Sequence, residues 1–169
     1  LHRPDALVDY HEVNEAFEYL YQKGLVKQFG VSNMNPTQIE LYNKYLTNKM
    51  KYNQVQFSIV HSHMISEGLF VNMSEDEGCI RSGNLIEYSM LKGIELQAWS
   101  PLMASWDDGS FIDNPKYEKL NNKLQELAKH FNIKVDAAHR AYDDARVCME
   151  LFVICMKQAA SKIGTSVLF

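Results

Sequence analysis

The chain has 169 residues and a mass of 19.5 kDa, the size of one ordinary domain. Its 46% hydrophobic and 22% charged residues are globular proportions, which exclude a disordered or fibrous chain. A net charge of -4 and a pI near 5.9 exclude any general attraction to nucleic acid or membrane surfaces.

The chain opens at Leu1 without an initiator Met and reads as beginning inside a larger fold. Asp9 is placed to cap a helix, with Glu12 three residues on in a capping-box arrangement. Val13, Ala16, Phe17 and Leu20 then recur at helical spacing, and Gly24 ends the run. A strand is expected over residues 26–31. Asn35 and Pro36 form a cap and first helical position, followed by Ile39, Tyr42, Tyr45 and Leu46. A second strand is expected over 55–60, then a long loop over 61–83, of the kind that often carries function. A short helix over 85–91 should stop at Gly93, ahead of a third strand over 94–99. Asn114 and Pro115 repeat the cap signal before a stripe of Tyr117, Leu120, Leu124, Leu127, Ala128 and Phe131. Residues 136–162 read as one further helix, with no strand signal before it. The longest apolar run, 151–156, is far short of the roughly 20 residues of a membrane helix. No secretory signal is visible. Cys79, Cys148 and Cys155 are odd in number and lack metal spacing, so they read as thiols of a reducing, cytoplasmic compartment.

Helices alternating with strands argue for βα units on a parallel sheet, either doubly wound or a TIM barrel. Four motifs follow one another about one βα unit apart: LHRPDAL at the start, GLVKQFGVSN over 24–33, NQVQFS over 53–58 and QAWSPL over 97–102. Together they resemble the second half of an aldo/keto reductase, in the bacterial oxidoreductase branch, over residues 1–134. The resemblance implies an α/β fold, a partial TIM (β/α)8 barrel of roughly strands 4 to 7 with their helices. Barrel ligands sit at the C-terminal ends of strands, where Ser32, Asn33, Gln54 and Trp99 fall. By resemblance, Ser32, Asn33 and Gln54 hydrogen-bond the nicotinamide carboxamide, Trp99 stacks on the ring, and Ser100 and Leu102 line the pyrophosphate path. The implied cofactor is NADPH, which no residue here distinguishes from NADH, and the implied substrate is a small carbonyl compound. His2 matches the histidine that orients the carbonyl. The family's tyrosine acid, lysine and aspartate match nothing here, and no other Tyr or Lys is assigned in their place.

A second resemblance lies in AHRAYDDARVCMELF, residues 138–152, which is similar to the third motif of DEDD-type 3'-5' exonucleases. His139 and Asp144 match its water-activating histidine and metal-binding aspartate. Two-metal hydrolysis needs several carboxylates, and the upstream acidic pair is not found. The expected organisation is therefore a partial reductase barrel over 1–134 and a helical tail of different origin over 135–169. The sequence leaves open whether that junction is natural, engineered or an assembly artefact. Read this way, the chain should be inactive alone and prone to self-association through open strand edges. A nuclease-related chain and a nonfunctional βα fragment are the other readings. Singly, Ser32 and Asn33 would also suit a strand-to-helix turn. His61, His63 and the acidic run Glu75, Asp76 and Glu77 read as loop residues rather than a metal site.

Overall fold

The computed structural model describes residues 1–133 together with 146, 147, 150, 151, 153 and 154. These residues form two compact units, one spanning Leu1–Pro101 and one from Leu102 onward.

In the first unit the elements run α1 (Tyr10–Gln22), β1 (Phe29–Ser32), α2 (Pro36–Tyr45), β2 (Met50–Gln56), α3 (His63–Leu69), α4 (Leu85–Lys92) and β3 (Glu95–Trp99). The helix starts follow from their caps. The Asp9 carboxylate accepts the amides of His11 and Glu12, and Gly24 takes the left-handed φ of +68° just past the end of α1. At α2 the capping box is reciprocal: Asn35 accepts the Gln38 amide and the Gln38 side chain accepts the Asn35 amide. Gly93 closes α4 at φ 62°.

The three strands form a parallel sheet in the order β1-β2-β3. Parallel neighbours in chain order require a helical crossover between them, which α2 and α4 supply. One sheet face packs into the core, where Phe29, Val31, Met50 and Val55 meet Phe17, Ile39, Tyr42 and Leu85. Phe17 of α1 stacks on Phe29 of β1 with ring centroids 4.0 Å apart, and Tyr10 lies between Tyr42 and Tyr45 of α2. Gly30 is where β1 and β2 come closest. A Cβ there would sit 2.8 Å from Tyr52 Cβ and 2.9 Å from its carbonyl oxygen, beside the register shift at Phe29/Gly30. Gly30→Ala should therefore cost about 1–3 kcal/mol of stability, read as a lowered urea midpoint at unchanged slope.

Three expectations need correction. The second strand is Met50–Gln56, not 55–60. Its outer face carries Tyr52, Gln54 and Gln56, so apolar content misplaced it. The first strand begins at Phe29, because 26–28 lead up to the sheet without joining it. The segment 61–83 is not all loop; it holds α3 and a 3-10 turn at Asp76–Gly78. No fourth strand precedes β1 among the described residues, although the Leu1 ammonium donates to the Gly30 carbonyl at 2.8 Å.

The second unit contains the antiparallel pair β4 (Met103–Ser105) and β5 (Gly109–Ser110), which the sequence reading missed. A 3-10 turn at Pro115–Tyr117, capped by Asn114, leads into α5 (Glu118–His130). Asp108 binds both Lys116, at 2.7 Å, and the Tyr117 hydroxyl, at 2.9 Å. Lys116 and then Tyr117 hold the Asp108 carboxyl below its usual range. Ala128 packs with Val147 and Leu151. The described residues at 146–147, 150–151 and 153–154 are helical, as expected of 136–162, and Arg146 pairs with Glu150 at 2.8 Å. His139, Asp144, Cys148 and Cys155 lie outside the described residues. Cys79 is an exposed free thiol. No helix among the described residues is long and apolar enough to cross a membrane.

Candidate functional site

Strand register sets the site. Ser32, Gln54 and Gln97 stand opposite one another across β1, β2 and β3, and Gln56 stands opposite Trp99. Alternation puts these side chains on the face turned from the apolar core. The Gln54 carbonyl accepts both the Ser32 hydroxyl, at 3.0 Å, and the Asn33 amide, at 2.8 Å. Just past β1, Asn33 adopts φ 57°, a left-handed conformation that asparagine tolerates better than most residues. That conformation lets its side chain bridge two strands. Asn33 Nδ2 donates to Ser32 Oγ at 3.0 Å, and Asn33 Oδ1 accepts Trp99 Nε1–H at 2.9 Å. Gln54 Nε2 donates to Gln97 Oε1 at 3.0 Å.

The structure thus brings Ser32, Asn33, Gln54 and Trp99 together. Ser32 is buried, Asn33 and Trp99 are half-buried, and Gln54 is exposed. Capacity remains on this row. A carboxamide nitrogen carries two N–H groups and its oxygen two lone pairs. Asn33 uses one N–H, and no hydrogen bond among the described residues uses Gln54 Oε1. One donor and one acceptor are therefore available to a planar amide laid beside Trp99. Ser32 has no such surplus donor, since its hydroxyl hydrogen goes to the Gln54 carbonyl.

The other expected residues are less engaged. Ser100 follows β3 at φ 50° and is half-buried. Leu102 belongs to the second unit, where its carbonyl accepts the Phe111 amide at 3.0 Å. His2 is exposed and makes no hydrogen bond or ring contact among the described residues.

Two supporting residues escaped the sequence reading. Asn53 is fully buried on the core face of β2; its Nδ2 donates to the Met34 carbonyl at 2.8 Å and its Oδ1 accepts the Met34 amide at 3.5 Å. It fixes the turn that presents Asn33, and an asparagine inside a strand was the available signal. Glu67 is 2% exposed, and its carboxylate gathers the amides of Arg81, Ser82 and Asn84 and the Ser82 hydroxyl. His61 and His63 stand with ring centroids 5.3 Å apart. Burial, and then the neighbouring His63, hold His61 below the usual imidazole value. Among the described residues no group of three or more His, Cys, Asp and Glu could hold a metal ion.

The aldo/keto reductase family model matches residues 1–143. The chain is 44% identical over 132 residues to oxidoreductase YdhF of Escherichia coli (strain K12), covering 78% of this chain and 38% of that protein. It is 29% identical over 142 residues to the 6-dehydroglucose reductase of Agrobacterium fabrum, covering 84% of this chain and 41% of that protein. A shorter similarity, 55% over 42 residues, is to DNA polymerase III subunit epsilon of Treponema pallidum, covering 25% of this chain and 20% of that one. Among solved structures, the thermostable aldo-keto reductase Tm1743 in complex with epalrestat shares the fold at a TM-score of 0.54 and 20% identity, over 90% of this chain and 53% of that one. The chain spans about two fifths of the length of the curated oxidoreductases named above.

Proposed function

Since the chain belongs to the aldo/keto reductase family, we propose that it carries the nicotinamide-facing part of an enzyme that reduces a small carbonyl substrate to its alcohol with NADPH. The observation that carries this reading is the bonded row from Ser32 through Asn33 to Trp99, with Gln54 beside it. A nicotinamide cofactor, when bound, supplies the hydride. The chain's own residues then act by orientation. Asn33 offers its second N–H to the carboxamide oxygen, and Gln54 Oε1 accepts from the carboxamide nitrogen. Trp99 provides a flat wall for the ring, so that one ring face stays open to substrate. Ser32 is a positioning residue that holds Asn33 in its left-handed turn. By the family resemblance Ser100 serves the pyrophosphate, and His2 steadies the substrate carbonyl.

These residues bind and orient; they supply no general acid. The complete reaction therefore needs the family's tyrosine acid from a barrel of which the described residues contribute three parallel strands. The place of action is the cytoplasm, and the outer edges of β1 and β3, which pair with no further strand among the described residues, favour self-association.

Titration of the chain with NADPH, followed by tryptophan quenching, tests the reading. Saturable quenching is expected, weakened about tenfold by Gln54→Ala, with NADH run in parallel for cofactor preference. Quenching that Gln54→Ala leaves unchanged would overturn it.

The 42-residue likeness to polymerase III subunit epsilon supports a second reading, which concerns the tail. In it, His139 and Asp144 are what is left of an exonuclease motif. Metal-dependent trimming of single-stranded DNA that disappears in Asp144→Ala would support a working remnant; no trimming would leave ancestry alone.

A further inference from the structure

A cavity of about 470 Å³ opens where β1 and β2 end and where α2, α3 and α4 begin. That volume lies within the range of small-molecule sites. Buried Met34 and Leu85 give it an apolar wall. Its polar lining includes Arg81, His61, His63 and Ser82, and no Asp or Glu lines it. The Arg81 guanidinium, with the two imidazoles beside it, thus faces one space with no lining carboxylate to neutralise it.

The lining is held in place. His61 is fixed by reciprocal backbone bonds with Ser58, at 3.0 and 3.1 Å, and His63 opens α3. Arg81 and Ser82 are tied at their amides to the Glu67 carboxylate, at 2.8 and 3.0 Å. The Glu67 carboxylate oxygens are engaged by four donors of the 81–84 loop. Arg81 Nη1 donates to the carbonyls of Asp76 and Cys79, at 3.0 and 3.4 Å. A guanidinium has five N–H groups in a planar fork, so most of its donors are not consumed by these two bonds.

We propose that this cavity binds a small organic phosphate, with Arg81, His61, His63 and Ser82 around the phosphoryl oxygens and its organic body against Met34 and Leu85. Three terminal oxygens match donors arriving from several directions, where a carboxylate offers two. The site is distinct from the nicotinamide row: Ser32, Gln54 and Trp99 do not line it, and Asn33 and Gln56 border both. The proposal stands whether or not the nicotinamide reading holds.

Calorimetric titration of the 169-residue chain tests it, with phenyl phosphate as probe and inorganic phosphate and benzoate beside it. Phenyl phosphate should bind saturably, about tenfold tighter than either comparator. Arg81→Gln should weaken it about tenfold or more. His63→Gln, at an exposed helix start and not a partner in the Glu67 hydrogen bonds, should weaken it about threefold and carries the test if Arg81→Gln disturbs the loop. Gln54→Ala should leave it within about twofold while weakening NADPH. Phenyl phosphate affinity unchanged in both the Arg81 and His63 variants would overturn the proposal. So would benzoate binding as tightly as phenyl phosphate, or loss of phenyl phosphate binding in Gln54→Ala, which would place the anion in the nicotinamide row.

Discussion

Trp99→Ala is expected to weaken NADPH binding by about thirtyfold, roughly 2 kcal/mol. Two losses add. The first is stacking against the ring; stacking of a base on an aromatic side chain is worth about 1–3 kcal/mol. The second is the 2.9 Å bond from Trp99 Nε1 to Asn33 Oδ1, which holds the Asn33 side chain in a backbone conformation with φ 57°. Freed of it, the Asn33 amide must be ordered by the ligand itself, at a cost in conformational entropy. Trp99→Phe separates the two effects, because it keeps a ring and removes the indole N–H. About fivefold weakening is expected there, close to 1 kcal/mol for one hydrogen bond. Fluorescence titration of NADPH measures both variants. If the alanine variant binds NADPH as the parent does, the row is not a nicotinamide site.

The largest stability effect should come from Glu67→Ala. Glu67 is nearly inaccessible, and four donors converge on its carboxylate. Removing it leaves three amides and a hydroxyl without their acceptor, and a loss of about 3 kcal/mol or more is expected. Burial pushes the carboxyl up. The Ser82 hydroxyl and the amides of Ser82, Arg81 and Asn84 push it down and win, so Glu67 sits below its ordinary value of 4.5. A depressed folded-state value means that the stabilisation is complete above the ordinary carboxylate range. It is then lost as pH falls through the lowered value. Urea unfolding at about pH 6 and about pH 3 should therefore show an acid loss that is smaller in Glu67→Gln, which cannot ionise. An equal acid loss in parent and Gln variant would show that Glu67 does not titrate with folding.

These two residues also mark what sequence could and could not reveal. Helices were legible because their ends are chemical: Asp9, Asn35 with Pro36, and Gly93 each satisfy or release specific backbone groups. Trp99, Ser32, Asn33 and Gln54 were legible because they ride on motifs one βα unit apart. Strand limits were harder. β2 alternates buried Asn53 and Val55 with outward Gln54 and Gln56, so neither face looks like an apolar strand. Glu67 had no signal at all. Its partners lie 14 to 17 residues away, and only the folded loop brings them to one carboxylate. The Asn33–Trp99 bond spans 66 residues and depends on parallel register, which a linear reading does not contain.

The order β1-β2-β3 places β2 between two partners, whereas β1 and β3 each have one among the described residues. A strand bonded along both edges can expose its amides to exchange only when both neighbours part, while an outer strand frays alone. Gln54 and Asn53 are both on that middle strand, and the Gln54 carbonyl anchors Ser32 and Asn33 from it. The bonded row is thus anchored on the strand of this sheet expected to open most slowly. Local breathing of the outer strands costs it contacts at the ends before it costs it the anchor.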